Sequence, residues 1–317
     1  MTISSNAPKF ELVWLRTWVE VVDAGGFSKA AEAIHLSQPR VSAHIANLER
    51  ALGRVLIERR VRPLALTEEG RALLPKARAV LTAADDLVDG RQDGAALRGS
   101  LRVASFASAS SSFLPGVLAG LKDEHPDLEV GVLDGDVQSI ESALGDRRVT
   151  VALRPLRPEP ADHAFISRPL WRESFLVLLP TGHELCERET IDLAEIADSR
   201  VITIGNPLLD SYLGYEAEAA LHAAFVEIPL GMVSQQPTTL ASMVRAGLGI
   251  GVVNQLATDM VRSDGLEVRP ISGLNRFRDV GVWWHSERPL SRASKAFIDA
   301  VLAAPLPAGT EPVPADA

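Results

Sequence analysis

Apolar residues recur every three or four positions between residues 38 and 52, which predicts a helix with one buried side. The stripe consists of Val41, Ile45, Leu48 and Leu52. Ser37 offers an N-cap hydroxyl, and Pro39 is tolerated in the first turn. The opposite face carries small residues, an amide and cations, with no carboxylate before Glu49 on its flank. Its members are Pro39, Arg40, Ala43, Ala46, Asn47 and Arg50.

A shorter helix is predicted directly before this one, over the alanine-rich segment that follows Phe27. Ala30, Ala31, Ala33 and Ile34 belong to it, and a tight turn then leads to Ser37. A helix that packs by one side and exposes a small, polar and basic side suits the DNA major groove. The pattern therefore favours a helix-turn-helix. The alternative is an ordinary surface pair of helices, since small-residue helix pairs also occur in bundles.

The residues around this pair predict a further helix before it and a β-hairpin after it. The first helix is indicated by Leu12, Leu15, Val19 and Val22, and it ends at Gly25-Gly26. After Gly53, the segment VLIERRVRPLALT is typical of two short strands that meet in a turn near Pro63. This hairpin would be the wing of a winged helix-turn-helix. Its tip carries arginines within reach of phosphates or the minor groove, namely Arg59, Arg60 and Arg62.

A long helix is predicted next, with Thr67 as its N-cap and two glutamates in its first turn. Spacings of four and three residues indicate a coiled-coil seam on this helix. The seam consists of Leu73, Ala77, Val80, Ala84 and Leu87. Pro75 predicts a bend. We expect a dimer helix, because a two-fold DNA reader needs a two-fold axis. The alternative is an amphipathic helix that packs only on its own domain.

From Ser100 onward, strand-like apolar runs alternate with helical stretches. The first series contains LRVAS, LEVGVLD and VTVALR, with helices near Phe113 and Val137. The second contains FLVLLP, RVITIG, VEIPLGMV and GIGVV, with helices near Asp192, Asp210 and Thr238. This alternation predicts an α/β fold of parallel sheets with helices on both faces. The last strand, VGVWWHS, and the helix after it should return to the first sheet.

Composition and charge separate two regions of this 317-residue chain. A hydrophobic content of 46% and a charged content of 23% are typical of a globular protein with about two domains. The net charge is −9, but residues 37–62 carry a local charge of +4, which leaves −13 for the remainder. A basic N-terminal patch on an acidic body suits a DNA-binding domain joined to a separate sensor.

Several classes of protein fit the sequence poorly. A run of about 18 apolar residues is missing, and the N-terminus lacks a secretory pattern, so we expect neither a membrane span nor export. The single cysteine, Cys186, fits a reducing cytoplasm. Catalytic, metal and cofactor motifs such as GxSxG, HExxH, CxxC and Walker A are absent, so we expect neither an enzyme nor a bound metal or cofactor. A transport binding protein would need a secretion signal.

The segment from Leu12 to Leu74 resembles the N-terminal domain of LysR-type transcriptional regulators. Its GGFSKAA, LSQP, LERALG and LTEEG motifs fall in that family's order and spacing. The remainder resembles the family's two-lobed effector domain, which is akin to periplasmic binding proteins. The resemblance implies a cytoplasmic, dimeric or tetrameric transcription factor that binds double-stranded DNA and a small-molecule effector.

These readings divide the chain into three regions and a tail. Residues 10–67 are expected to form the winged helix-turn-helix, and residues 68–95 the linker helix and hinge. Residues 96–304 should form the effector domain, with lobe I at about 96–168 and 274–304, and lobe II at about 169–273. Four prolines in ten residues after Ala304 predict a disordered tail at 305–317.

The predicted DNA contacts lie in the helix pair and the wing. By resemblance, Gln38 and Pro39 contact bases; glutamine can pair with adenine, and proline can contact a thymine methyl. Many relatives place arginine where this chain has Ala43, and Arg40 is a candidate for the missing cation. The full set is Ser28, Lys29, Ser37, Gln38, Pro39, Arg40, Ser42, Ala43, His44, Asn47, Arg60 and Arg62.

The predicted effector contacts lie in two polar loops that each precede a helix, SFASASSS at 105–112 and SQQPTT at 234–239. Both match the family's effector-contacting loops, and helix N-termini favour anions. Arg154 ends a strand and is a candidate partner for a carboxylate. The set is Ser105, Ser108, Ser110, Arg154, Gln235 and Thr238. We expect a small organic anion between the lobes. The alternatives are a neutral polar ligand with Arg154 on the surface, and a merely flexible serine loop.

Overall fold

The computed structural model describes residues 10–58, 63–89, 96–205, 217, 220, 221, 230–274 and 276–314. The chain forms two compact units. The first contains Met1–Ala95 and Gly145–Arg148, and the second contains Ala96–Leu144 and Val149–Ala317. The wing tip with Arg60 and Arg62, the segment 90–95 and the expected helix near Asp210 lie outside the described residues.

The N-terminal unit is a winged helix-turn-helix, as the apolar spacing predicts. Its elements are α1 (Leu12–Asp23), α2 (Phe27–Ala33), α3 (Gln38–Leu52), β1 (Ile57–Glu58), β2 (Ala65–Leu66) and α4 (Glu68–Asp89). The two strands pair antiparallel and form the base of the wing. In the core, Trp18 of α1 meets Val41, Ile45 and Leu48 of α3, all fully buried.

Two N-caps were predicted in this unit, and only one of them forms. The Thr67 hydroxyl accepts a hydrogen bond from the Gly70 amide at 2.9 Å and donates one to the Val55 carbonyl at 2.7 Å. Thr67 thus caps α4 and ties it to the start of the wing. The cap prediction for Ser37 was wrong: the residue occupies the N-cap position of α3, but its side chain makes no capping hydrogen bond.

Helix α4 packs on its own unit along one side. Leu74, Ala77 and Leu81 join the core of the unit. Between them lies the buried Arg78, which forms an ion pair with Asp23 of α1. Burial lowers the pKa of the Arg78 guanidinium, and the Asp23 carboxylate opposes that shift. This ion pair joins the first and last helices of the unit.

Lobe I of the effector unit is built on a five-stranded sheet with the order β4-β3-β5-β13-β6. The strands are β3 (Gly99–Ser105), β4 (Leu128–Asp134), β5 (Val151–Pro155), β6 (Phe165–Glu173) and β13 (Arg278–His285). The helices are α5 (Ala107–Ser112), α6 (Leu114–Glu124), α7 (Val137–Gly145) and α10 (Arg292–Ala303). The last strand and helix therefore return to the first sheet, as expected.

Lobe II contains a six-stranded sheet with the order β10-β9-β11-β7-β12-β8. The strands are β7 (Phe175–Pro180), β8 (Ile191–Asp192), β9 (Val201–Ile204), β10 (Leu230–Ser234), β11 (Ile250–Asn254) and β12 (Leu266–Ser272). Helix α8 (Pro237–Arg245) follows β10, and the short helix α9 (Gln255–Thr258) follows β11. Two 3-10 turns cover Glu184–Glu187 and Leu193–Ile196.

The expectation of purely parallel sheets was wrong in both lobes. Strand β13 runs antiparallel to β5 and β6, and β7 runs antiparallel to β11 and β12. In lobe I the antiparallel strand β13 is the one that returns after lobe II is complete, and in lobe II it is β7, the strand by which the chain enters. Strand β6 also continues in lobe I as far as Glu173, so the chain passes to lobe II at Ser174 rather than at residue 169.

The expected disordered tail is ordered as far as residue 314. Glu311 pairs antiparallel with Arg172 of β6: the Arg172 amide donates to the Glu311 carbonyl at 2.7 Å, and the Glu311 amide donates back at 3.0 Å. Gly309 has a φ of +71° and lies against the Gln255 side chain, where a Cβ would come within 2.7 Å of Nε2. Prolines suit such an extended edge segment, because it needs few backbone donors.

Along the part of the chain that the structure describes, none of the helices has both the length and the apolar character needed to cross a membrane.

Gly70 gives a test of the packing between the wing and α4. A Cβ at this position would lie 2.2 Å from the Leu56 carbonyl oxygen, so the helix would have to move away from the wing. We expect Gly70→Ala to destabilise the full-length protein by about 1–3 kcal/mol in urea unfolding, although alanine is the better helix former.

The matched control is Gly116→Ala, since Gly116 lies in α6 with no atom within 4 Å of the added carbon. It should leave stability unchanged or raise it by about 0.5–1 kcal/mol. Equal stability of the two variants would show that the wing and α4 are not in close contact.

Candidate DNA-binding face and ligand site

The face of α3 opposite the buried stripe is open to solvent. Seven of the predicted DNA contacts are exposed: Ser28, Lys29, Ser37, Gln38, Pro39, Arg40 and Ala43. Ser42, His44 and Asn47 are half-buried on its flanks. The start of α2 also lies beside the start of α3, because the Ser28 hydroxyl donates to Gln38 Oε1 at 3.5 Å. The described residues thus form one continuous polar surface.

His44 has a structural partner that the sequence did not reveal. Its Nδ1 lies 2.9 Å from the Thr17 hydroxyl of α1. That hydroxyl already donates its proton to the Val13 carbonyl at 2.7 Å, so the proton shared with His44 must come from Nδ1. The ring therefore holds α3 against α1, and Nε2 is left for any contact with DNA.

Glu49 explains how an acidic residue is accommodated beside this basic face. Its Oε1 accepts hydrogen bonds from the amides of Leu56 at 2.9 Å and Ile57 at 3.3 Å. The carboxylate is thereby turned towards the backbone at the start of the wing and joins the wing to α3. Near the end of α3, Arg50 Nη1 donates to Asn47 Oδ1 at 2.9 Å, which orients the amide on the exposed face.

The predicted seam of α4 divides into two parts. Ala77 is buried inside its own unit, so it belongs to the intramolecular side of the helix. Val80 and Leu87, about one and three turns after Ala77, are 43% and 80% exposed within the single chain. An exposed apolar strip at heptad spacing is what a dimer helix presents before its partner is added.

In lobe I, the serine-rich loop forms a short helix, α5, in which Ser108 and Ala109 are buried. Ser105 and Ser108 are buried, and the Ser108 hydroxyl accepts a hydrogen bond from Arg278 Nη2 at 3.3 Å. The Ser110 hydroxyl is buried and has no hydrogen-bond partner in the part of the chain that the structure describes. Ser105 and Ser108 therefore have structural roles, and Ser110 retains an unused hydroxyl. With six residues, α5 is too short to supply much of a helix dipole.

Arg154 is not on the surface, and its charge is already balanced inside lobe I. Its side chain is fully buried, Nη2 donates to the Pro158 carbonyl at 2.7 Å, and Glu141 Oε2 lies 3.7 Å away. The guanidinium also lies over the Trp283 ring, 4.8 Å from its centroid. Because the strand is central in the sheet, Arg154 packs beneath α7 and does not provide the free cation that we expected.

The second predicted loop, in lobe II, is open. Gln235 and Thr238 are exposed. Ser234 is buried, and its hydroxyl donates a hydrogen bond to the Gln236 carbonyl. Pro237 is the first residue of α8 and has no N–H to offer an anion. The two exposed side chains remain available for a ligand.

A buried charged cluster lies where the two lobes join, and the sequence analysis missed it. Glu173 Oε1 accepts from Arg278 Nε at 2.9 Å and from Trp171 Nε1 at 3.2 Å. Glu173 Oε2 accepts from the Leu256 amide of α9 at 3.0 Å. More than 80 sequence positions separate Glu173 from Leu256 and from Arg278, so only the fold brings these residues together. The cluster also reaches the serine loop through Ser108 and Arg278.

Two family models match the chain and together cover most of it. Residues 12–71 match the bacterial regulatory helix-turn-helix protein model of the lysR family, and residues 94–305 match the LysR substrate binding domain.

Individual relatives and solved structures agree with these matches. The chain is 30% identical over 252 residues to a "Probable hydrogen peroxide-inducible genes activator" of Mycobacterium avium, across 78% of this chain and 79% of the relative. It is similar to full-length OxyR of Pseudomonas aeruginosa, with 25% identity, a TM-score of 0.70, and coverage of 93% of this chain and 98% of the other. CbnR in complex with its target DNA shares the fold, with 21% identity, a TM-score of 0.64, and coverage of 92% and 99%.

Arg40 gives a test of base contact by α3. We expect Arg40→Ala to weaken binding to the natural site by about 1–3 kcal/mol and to relax preference at one base position, because a bidentate contact would be lost. Selection of bound sequences from random DNA measures that preference.

Arg54→Ala is the matched control, since it removes the same charge from an exposed residue just beyond the end of the same helix, outside the predicted contacts. It should weaken binding to all sequences alike and leave the preference profile unchanged. If Arg40→Ala also leaves the profile unchanged, Arg40 does not contact a base.

Val80 gives a test of the exposed strip on α4. We expect Val80→Glu to reduce the mass measured by sedimentation to that of a single chain, because the shared seam would bury an unpaired charge. Ala72→Glu is the control. Ala72 is exposed on the first turns of α4 and lies about a quarter turn from Val80 around the helix axis, so this variant should keep the wild-type mass. An unaltered mass for Val80→Glu would mean that α4 packs only within its own chain.

Proposed function

Because the chain belongs to the LysR family of transcriptional regulators, we propose specific residues for its two activities. Proteins of this family bind DNA through the helix-turn-helix and an effector through the second domain, and they are not enzymes. We assign DNA contact to the exposed face of α3 with the start of α2, and effector contact to the two polar loops. The observation that carries the first assignment is that this polar face lies opposite a fully buried apolar stripe.

For the effector, we propose a small polar molecule without a net negative charge. Both arginines near the serine loop are paired with carboxylates, Arg154 with Glu141 and Arg278 with Glu173. A carboxylate brought to this loop would therefore meet no uncompensated cation among the described residues. Hydroxyl and amide groups remain, on Ser110, Gln235 and Thr238. An organic anion held by backbone amides is the second candidate.

A response to hydrogen peroxide is suggested by the name of the Mycobacterium avium relative. In this chain, a disulfide within one subunit is impossible, because Cys186 is the single cysteine. Burial and the neighbouring Glu267 carboxylate raise the pKa of the Cys186 thiol, and a thiol reacts with oxidants as its thiolate. We therefore favour a reversibly bound metabolite over cysteine oxidation as the signal.

We also propose that the protein acts in the cytoplasm as a homo-oligomer joined through α4. The DNA that it must reach lies in that compartment. The apolar strip with Val80 and Leu87 supports a partner copy. A two-fold dimer would place two copies of α3 on successive major grooves, and a ligand that changes the arrangement of subunits would change their spacing. Mapping bound sites across the genome tests the DNA-binding role directly.

The ligand assignment predicts which compounds stabilise the protein. In a thermal-shift screen of the full-length chain, we expect neutral polar metabolites to raise the unfolding midpoint more than carboxylates or amines. Ser110→Ala should weaken the best compound about tenfold, because a hydrogen bond of about 1.4 kcal/mol is lost.

Ser111→Ala is the matched control, since Ser111 is exposed on the same helix and outside the proposed contacts. It should bind like the wild type. Stabilisation by carboxylates alone would favour the second candidate, and stabilisation by apolar compounds alone would overturn both.

A further inference from the structure

Two buried polar side chains at the strand ends of lobe II each carry an atom that has no hydrogen-bond partner among the described residues. They are Thr203, which is fully buried, and Asn254, which is 3% exposed. Thr203 Oγ1 and Asn254 Nδ2 both lack a partner within the described chain. Since buried polar groups are almost always hydrogen-bonded, two such atoms in one region call for an explanation.

The sheet brings these two residues together. Strands β9 and β11 are parallel neighbours, with Val252 opposite Thr203. Asn254 follows Val252 by two positions, so its side chain lies on the same face of the sheet as Thr203. Thr203 is the last residue but one of β9, and Asn254 ends β11. Both are therefore at the carboxyl end of the sheet, where open α/β sheets bind their ligands.

Asn254 would ordinarily use its side chain to cap a helix. It occupies the N-cap position of α9, a position at which asparagine usually accepts a hydrogen bond from the second or third amide. Its side chain makes no such bond. The Leu256 amide, which is the second of the helix, donates instead to Glu173 Oε2 at 3.0 Å. Glu173 Oε2 thus takes the acceptor role that Asn254 Oδ1 would otherwise have at this helix terminus.

We propose that Thr203 and Asn254 form the lobe II part of the effector site and select a ligand that carries an uncharged carbonyl or carboxamide oxygen. This inference rests on the proposed effector-binding function and deepens it. The Asn254 NH2 group donates only, so it requires an acceptor, and the Thr203 hydroxyl can donate or accept. A carboxylate is disfavoured here, since burying it without a cation is costly. Access to both atoms requires the chain around the strand ends to move.

The first experiment measures whether the two polar groups lack partners in the ligand-free protein. In thermal unfolding of the full-length chain, we expect Thr203→Val to raise the midpoint by roughly 2–4 °C, because an unsatisfied hydroxyl is replaced by a methyl of the same shape. Asn254→Leu should also raise the unfolding midpoint.

Thr150→Val is the matched control for this experiment. The Thr150 hydroxyl lies 2.7 Å from the Ser294 hydroxyl, so the same change breaks a hydrogen bond and should lower the midpoint. If Thr203→Val and Asn254→Leu lower the midpoint as Thr150→Val does, the two groups have partners and the inference is wrong.

The second experiment measures ligand binding by the same variants. The probes are three panels of small compounds of matched size: carboxamides and ketones, carboxylates, and amines. We expect carboxamides or ketones to stabilise the wild type, and their affinity to fall about tenfold in Thr203→Val and Asn254→Leu. Thr150→Val should bind like the wild type.

The outcomes separate this inference from the function on which it rests. Compounds that bind the wild type and both variants equally, but lose affinity in Ser110→Ala, would leave the effector site in place and exclude Thr203 and Asn254 from it. Binding of carboxylates alone, weakened in the variants, would overturn the ligand class. If no panel stabilises the wild type, the proposed effector site fails, and this inference fails with it.

Discussion

The carboxylate of Glu173 holds together the place where the chain passes between its two lobes. It is 1% exposed, and its oxygens accept from the Arg278 guanidinium, the Trp171 indole and the Leu256 amide. A buried carboxylate is tolerated only where such partners surround it, and removal of one partner leaves a charge that nothing balances. The carboxylate therefore connects β6 and β13, which pair as neighbouring strands, to the first turn of α9.

A second ion pair, between Arg172 and Asp279, lies directly beside the pair between Glu173 and Arg278. Arg172 lies opposite Asp279 in the β6–β13 ladder and binds it at 2.6 and 2.8 Å, one position from Glu173 and Arg278. Because side chains alternate across a strand, one pair faces the interior and the other faces outward. The backbone of Arg172 also receives the tail at Glu311. The end of β6, where the chain leaves lobe I, is thus held by two ion pairs to β13 and by the backbone of the tail at its free edge.

Local pattern was sufficient to predict the N-terminal unit and insufficient for the ligand site. The buried stripe of α3, the wing and the Thr67 cap each depend on residues close in sequence, so spacing and side-chain type reveal them. The ordered tail and the role of Arg154 depend on partners that only tertiary structure supplies. Arg154 was expected to face a crevice because it ends a strand, but Glu141 and Trp283 surround it inside the lobe. Thr203 and Asn254 belong to no sequence motif. Their importance follows only from the structure, in which Thr203 Oγ1 and Asn254 Nδ2 have no hydrogen-bond partner among the described residues.

Glu173 also links the junction between the lobes to the chemistry of the ligand site. The Leu256 amide has one proton, and two acceptors compete for it: the Glu173 carboxylate, which binds it here, and the side chain of the N-cap residue Asn254. The charged acceptor forms the stronger hydrogen bond, so Asn254 remains free while the junction is closed. Without the Glu173 carboxylate, Asn254 Oδ1 would be the acceptor for this amide, and the turn of the side chain towards its own helix would move Nδ2 away from the proposed ligand position. The hydrogen bond between Glu173 and Leu256 thus joins the two lobes and, in the proposed site, leaves the Asn254 side chain in position for the ligand.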